Sequence, residues 1–594
     1  MHVIRRALFT DGLSLFQVNC KLDGIKLASK VPNRFFPFPF LSVYLIMKKK
    51  LSLLFAAAAV LTLLSFTPPA ERYFEIAKNL DIFASLFKEV NALYVDDVNP
   101  NKLVRTGIDA MLNSLDPYTN FISEDEIEDF NTLNTGQYGG IGALTREIGH
   151  RIVVTLVYEG YPAQKNGLKI GDELVKMDGM ELSKLSTEEA NHLMRGQVGT
   201  LVKLSVRRVG VAGLIDLEFK RERIKVSNVP YYGMVTSDLG YVQLSDFTHD
   251  AGKEVKNAVI SLKEKGAKMI VLDLRGNPGG LLFEAVNICN IFIPKGKKVV
   301  TTKGKVEDSN ITYETLNPPV DTDIPLAILI NRGSASASEI VAGTIQDYDR
   351  GIIIGEKSFG KGLVQLSRPL SYNSQVKITT AKYYTPTGRC IQVLDYSHRR
   401  EDGSVGSIPD SLKKEFKTTR GRIVFDGGGI DPDITLKVEE VAMVTQVILS
   451  RGFLFDYASQ YVFQHPTIVS ARDFSLTEAE YQDFVNWMKD KEYHYRSKVE
   501  AELALFTEDA KKERYYSELK PQLDQLRSRL AESHKGDLHN FKDQIKILLE
   551  KEIVLHYYLE KGAVELEFKN DDEVKKAIDV LNNPIQYKKI LNIP

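Results

Sequence analysis

Asn331-Arg332-Gly333-Ser334-Ala335-Ser336-Ala337-Ser338-Glu339 follows directly on the apolar run Ile324–Ile330, and Gly355-Glu356-Lys357-Ser358-Phe359-Gly360-Lys361-Gly362-Leu363-Val364-Gln365 lies downstream of it. The first stretch sets serines where a buried strand turns into a helix. The second sets a lysine between two glycines ahead of a later strand. A hydroxyl is a weak nucleophile and needs an adjacent base. A helix N-terminus behind it leaves N–H groups free to hold an oxyanion. A lysine accepts a proton only where burial disfavours its charged form, since the free ammonium titrates near ~10.4. Gly360 and Gly362 let the backbone turn tightly around that lysine. From these residues alone the nucleophile is any of Ser334, Ser336 and Ser338. Ser338 reads as the N-cap of the helix that follows, and Ser334 as a side chain that satisfies the turn.

Around this pair the chain alternates strand and helix over residues 226–437. Gly240–Leu244 reads as a short strand and Asp250–Lys265 as an amphipathic helix. Lys268–Leu274 is nearly continuous in apolar residues, as expected of a strand covered on both faces. It ends in the turn Asp273-Leu274-Arg275-Gly276-Asn277-Pro278-Gly279-Gly280, where Asp273 and Arg275 read as structural. The helix Leu281–Ile293, the strands Ile324–Ile330, Gly351–Gly355 and Val376–Tyr384, and the helix Ser338–Asp347 complete the pattern. Val424–Asp433 carries Gly427-Gly428-Gly429-Ile430-Asp431-Pro432-Asp433. Glu339 and Asp347 have no metal-binding companions and read as solvated or salt-bridged.

Residues 135–225 open with Tyr138-Gly139-Gly140-Ile141-Gly142-Ala143 and continue with the strand Arg151–Tyr158. The segment Ala163–Leu174, the turn Met177-Asp178-Gly179, the helix Thr187–Arg195 and the strand Val202–Val209 follow in order. This set resembles a PDZ domain. Backbone N–H groups of the loop, at Gly140, Ile141, Gly142 and Ala143, can nest a terminal carboxylate. The strand near Ala143–Glu147 can pair with an extended peptide. Ile141, Leu193 and Met194 either line a pocket for the last side chain or fill the module's core. Arg195, followed by glycine, either caps its helix or couples the module to the protease core.

Together these segments, over roughly residues 75–437, resemble the C-terminal processing peptidases, the tail-specific branch of the S41 serine proteases. The resemblance implies a multidomain α/β protein: an S41 core of the ClpP/crotonase-like superhelix with an inserted PDZ domain. It selects Ser336 as nucleophile, Lys361 as base and Gln365 as the helper that orients the amine. The oxyanion donors it implies are the backbone N–H groups of Gly280 and Ala337. No metal or organic cofactor is implied. The substrates implied are proteins or peptides with free C-termini, cut upstream of the tail.

Three rival readings are weaker. Ser358-Phe359-Gly360-Lys361 matches S-x-x-K, but that motif belongs at a helix start and its glycines argue against one. His150, His249 and His398 have no spacing that supports a triad. A non-catalytic PDZ scaffold of the cell envelope would have no need of Ser336, Lys361 and Gln365.

Composition sets the outer limits. With 594 residues, 43% hydrophobic and 26% charged, the chain reads as several globular domains. A formal charge of -1 gives no footprint for nucleic acid. Cys20, Cys289 and Cys390 suggest neither a disulfide framework nor a metal site. Met47-Lys48-Lys49-Lys50, the apolar run Leu51–Phe66 and the break Thr67-Pro68-Pro69-Ala70 have the layout of a secretory signal peptide over 47–70. Met47 then reads as the true start, with 1–46 upstream sequence or an extension. The expectation is export to the bacterial periplasm, soluble or held by an N-terminal anchor. Residues 71–134 read as a helical segment and 438–594 as a charged helical domain. Either helical end is a place for a homo-oligomer or an adaptor.

Overall fold

The computed structural model describes residues 70–594, Glu401 and Val438 excepted. The expectations for 1–46 and for the signal segment ahead of Ala70 lie outside these residues. The chain divides into two units at Leu103/Val104. In the first, the helix Ala70–Leu93 leaves Tyr73, Phe74, Ile76, Leu80 and Phe83 exposed. No helix among the described residues is long and apolar enough to cross a membrane.

The second unit is organised by a six-stranded sheet that runs in chain order. Its strands are Tyr231–Met234, Leu239–Gln243, Met269–Asp273, Leu326–Ile330, Ile352–Gly355 and Ile434–Thr435. The first pair is antiparallel and the others are parallel. Alternate residues of a strand face opposite sides, and here both sides are dry. Ile270, Leu272, Ile328 and Ile353 face the helices Ala251–Glu264, Leu282–Phe292 and Ala337–Asp347. Val271, Leu329, Ile352 and Ile354 face Val574, Ala577, Val580 and Leu581 of the C-terminal helix Asp572–Leu581. That double burial is why these strands read as unbroken apolar runs.

A second sheet is built on the long strand Gln375–Tyr384. Leu363–Pro369 pairs with it, as do Lys298–Gly304 and Asn120–Ile122. The strand Asn120–Ile122 lies in a stretch that reads as wholly helical. Its three residues are too few for a period, and long-range pairing with Gln375–Lys377 decides its state.

The segment 143–220 is an antiparallel sheet of Ala143–Ile148, Arg151–Val157, Glu173–Met177, Leu201–Arg207 and Ile215–Lys220. Its helix Thr187–Met194 starts at a Ser186/Glu189 capping box. Gln137–Gly140 pairs with Glu222–Lys225 and ties the two ends of the segment together.

The C-terminal helices touch both bodies. Phe455 lies in the apolar core of the 143–220 sheet, with Leu555 and Leu559 packed against it, and Arg151 pairs with Asp456 at 2.8 Å. Within this helical domain Lys498–Lys512 and Tyr516–His534 are separate helices. Arg514 between them has φ of 68° and breaks the run. The helix Lys542–Glu567 contains a non-helical residue, Leu559.

The docking of Asp572–Leu581 on the sheet has a measurable consequence. Val574 is fully buried there. Val574→Asp puts an unpaired carboxylate against that face and should destabilise the protein by about 3 kcal/mol or more, read as a lowered urea midpoint. Exposed Lys575 changed to Ala is the control and should shift it little.

Candidate active site

Ser336 lies between the strand Leu326–Ile330 and the helix Ala337–Asp347, with φ of 54° and ψ of −110°. A side chain in that region is strained and persists only where its surroundings dictate it. Here they do. The Ser336 N–H donates to Glu339 Oε2 at 2.8 Å, and Tyr383 Oη donates to the Ser336 carbonyl at 3.1 Å. The flanking serines are engaged differently. Ser334 Oγ donates to the Leu274 carbonyl at 2.8 Å and Ser338 Oγ to the Asn277 carbonyl at 2.9 Å. The reading of Ser338 as N-cap is therefore corrected: the helix begins at Ala337 and Ser336 holds the cap position. Ser334 does satisfy the turn, accepting the Asn331 N–H at 3.0 Å.

Lys361 sits on a loop without helix, so Ser358–Lys361 is no helix-borne S-x-x-K. The loop is held by Glu339, which is fully buried. Its Oε1 accepts Ser358 Oγ at 2.6 Å and the Gly360 N–H at 2.7 Å, and its Oε2 accepts the Lys361 N–H at 2.9 Å. One carboxylate thus joins the backbone of Ser336 to the backbone of Lys361. The expectation of a solvated or salt-bridged Glu339 is overturned. Asp347, by contrast, is salt-bridged to Arg389. Burial raises the Glu339 carboxyl to about 7, while its four donors pull the other way.

The Lys361 Nζ lies 4.3 Å from the centroid of the Tyr118 ring and has no carboxylate partner among the described residues. Burial, then the nearby charge of Lys377, lower it to about 8, and Glu339 and Asp116 act in the opposite sense. Gln365 lies on the adjoining strand, and its Nε2 donates to Thr379 Oγ1 at 3.2 Å. Thr379 N–H in turn donates to Thr119 Oγ1 at 3.2 Å. Asp116 folds this corner by accepting the N–H groups of Tyr118 and Thr119 at 2.8 and 2.9 Å. The Asp116-Pro117-Tyr118 turn therefore delivers a ring to the lysine. Sequence reasoning missed this contact, because no local pattern links residues 118 and 361.

The turn after strand Met269–Asp273 approaches the same helix head. A methyl group on Gly279 would lie 2.6 Å from the Ala335 oxygen, 2.7 Å from the Ala337 nitrogen and 2.9 Å from Ser336 Cβ. Only glycine allows that approach. Gly279 N–H donates to Asn277 Oδ1 and Leu281 N–H to the Phe247 carbonyl, leaving the Gly280 N–H between them with no acceptor among the described residues. Ala337 N–H is in the first helical turn, where no intrahelical acceptor exists. Arg275 anchors the turn to Asp273 at 2.5 Å and, across the fold, to Asp571 at 2.6 Å and to Glu573.

The residues read as a peptide pocket are divided by the structure. Ile141, Ala143, Met194 and Arg195 line a cleft of about 240 Å³ together with Leu133, Asp246 and Thr248. Ile141 and Met194 also belong to the module's core, and Leu193 packs against that core without lining the cleft. Gly140 is paired in the Gln137–Gly140 strand, and Gly142 has φ of 78°. Arg195 ion-pairs with Asp129 and lies 5.2 Å from the Tyr138 ring centroid. His150, His249 and His398 are exposed surface residues.

Three family models match the chain: peptidase family S41 over residues 238–395, the PDZ domain over 132–207, and the probable PDZ-protease C-terminal helical domain over 444–581. The carboxy-terminal-processing protease of Bartonella bacilliformis is 38% identical over 319 residues, 53% of this chain and 73% of that protein. The carboxy-terminal processing protease CtpA of Bacillus subtilis is 36% identical over 308 residues, 51% of this chain and 65% of that protein. Among solved structures, the photosystem II D1 C-terminal processing protease is 26% identical, spans 60% of this chain and 92% of its own, and has a TM-score of 0.32.

Glu339→Ala would strand four buried donors. Unfolding in urea should show a loss of about 3–5 kcal/mol. Glu339→Gln fills the space but turns an amide toward donors, and should fall between the two.

Proposed function

The chain belongs to peptidase family S41, among the carboxy-terminal processing proteases, and from that premise we propose a Ser336/Lys361 endopeptidase that takes hold of protein C-termini through its PDZ domain. The observation that carries the reading is the single buried carboxylate, Glu339, that ties the Ser336 and Lys361 backbones together beside the Gly279-Gly280 turn. The Lys361 amine, lowered by burial and ion-paired to no carboxylate among the described residues, is fit to accept a proton near neutrality.

In this mechanism Ser336 Oγ attacks the peptide carbonyl as Lys361 Nζ takes its proton. The oxyanion is held by the N–H groups of Gly280 and Ala337. The tetrahedral species collapses, and Lys361 returns the proton to the leaving amine. Water, deprotonated by Lys361, then releases the acyl group from Ser336. Gln365 keeps the amine turned toward Ser336.

The substrate's tail enters the cleft lined by Ile141, Ala143 and Met194, its backbone adding to the edge of strand Ala143–Ile148. Its carboxylate is received by the Gly140–Ala143 loop. Arg195, ion-paired to Asp129 at the same cleft, couples the PDZ domain to the protease site. The layout of Met47–Ala70 supports export to the cell envelope.

Ser336→Ala and Lys361→Ala should each abolish cleavage of a tailed protein without lowering the melting temperature, and Lys361→Arg should fail as well because a guanidinium stays protonated. Turnover by purified Ser336→Ala sinks the assignment. In the wild type the neutral amine is the active form, so the rate should climb with pH through an apparent value of about 8. The terminal carboxylate is tested separately: a C-terminally amidated substrate should be cut more slowly through a raised KM, and equal rates would remove the loop from recognition.

A further inference from the structure

Lys377 is a second lysine at this site, and neither the family match nor the mechanism above gives it a part. It lies in strand Gln375–Tyr384, opposite Ser367 on one side and Asn120 on the other. Opposed residues of an antiparallel pair project to the same face. Ser367 is two residues beyond Gln365, so Lys377 shares a face with Gln365 and with Thr379, which accepts the Gln365 amide. Asn120 is two residues beyond Tyr118, whose ring lies against the Lys361 Nζ. Lys377 therefore lies on the long strand between the Gln365 strand and the segment that carries Tyr118, the ring against the Lys361 amine.

Lys377 is half-buried, and its ammonium makes no ion pair or hydrogen bond among the described residues. A cation held in a partly desolvated place without a partner is unfavourable on its own terms. Such a residue is expected where its charge acts on a neighbour.

We propose that Lys377 is a positioning residue whose unpaired charge, set on the same sheet face as Gln365, keeps the Lys361 amine neutral by repulsion. The inference rests on the reading of Lys361 as the base. Burial is the larger influence that holds the Lys361 amine below its ordinary range, and of the charged groups around it Lys377 alone acts in the same sense. Lys377, from the long strand, disfavours its protonation. Glu339, from the nucleophile helix, and Asp116, from the turn before Tyr118, favour it. Both carboxylates are engaged with backbone N–H groups, Glu339 with those of Ser336, Gly360 and Lys361 and Asp116 with those of Tyr118 and Thr119. The Tyr118 phenol, held above its ordinary range by burial, adds no charge.

The experiment is the pH profile of kcat/KM for a tailed protein, alongside the pH profile of inactivation by a serine-directed fluorophosphonate. Wild type, Lys377→Met, Lys377→Gln, Lys377→Arg and Lys361→Ala are compared, each checked by thermal melting. Removing the charge lets Lys361 hold its proton to higher pH. Lys377→Met and Lys377→Gln should then move the acid limb up by about one pH unit, with about a tenfold loss at neutral pH and a preserved alkaline plateau. Lys377→Arg should keep the wild-type limb. Lys377→Gln, which keeps a polar head, serves if the methionine variant does not fold. An unmoved limb in the neutral variants overturns the inference. So does a uniform loss at every pH, or an arginine variant that shifts as methionine does. Activity in Lys361→Ala would instead overturn the base assignment beneath it.

Discussion

The Glu339 carboxylate is the constraint on which the rest of the site depends. It accepts from the backbone of Ser336, of Gly360 and of Lys361, and from the Ser358 hydroxyl. A strand–helix junction and a distant loop are thereby fixed by hydrogen bonds to one rigid group. Charge-assisted bonds of this type are stronger than neutral ones, and the cost of burying the carboxyl is offset only when all of them are made. The backbone strain at Ser336 is held by the same set of contacts. The Glu339 bond to its N–H, with the Tyr383 hydroxyl and the Ile340 N–H on its carbonyl, holds the residue at a positive φ.

The packed sheet explains why such a junction can be held so tightly. Strand Leu326–Ile330 is buried on both faces, so its C-terminal end is fixed in depth and direction. The C-terminal helices supply one of those faces and also send Asp571 and Glu573 to Arg275, at the start of the turn that carries Gly280. The same domain places Phe455 into the core of the PDZ sheet. It is a strut between the two bodies as well as a cover, so a change at the cleft and a change at the Gly279-Gly280 turn share a mechanical neighbour.

Much of this was legible in the residues because the relevant signals are local. The apolar runs Lys268–Leu274 and Ile324–Ile330 announce doubly buried strands, and the serine run at the end of the second announces a helix head. The glycines around Lys361 exclude a helix there. What stayed hidden depends on contacts between segments far apart in the chain. Glu339 reads as an ordinary helix glutamate, because its three remote donors come from residues 358–361. Tyr118 reads as part of a helical segment, because its partner is Lys361. Asn120–Ile122 has no strand period of its own. Ser338 passes for a cap, because its bond to the Asn277 carbonyl cannot be read from the helix sequence.

A lysine base imposes an electrostatic condition opposite to that of a histidine base. An imidazole beside a serine gains from a carboxylate that stabilises the imidazolium. An amine that must be neutral at the start of the cycle is disabled by the same carboxylate, because an ion pair raises its proton affinity. Placing Glu339 next to the Lys361 backbone would therefore be a liability if its oxygens were free. They are not: each is turned to backbone N–H groups, with Ser358 adding its hydroxyl to Oε1, and the charge is spent on holding the loop. The face of Tyr118 then covers the amine without offering it an acceptor. In the proposed mechanism the carboxylates are for architecture and the amine keeps apolar or like-charged surroundings, and that separation would let one buried cluster be both rigid and basic.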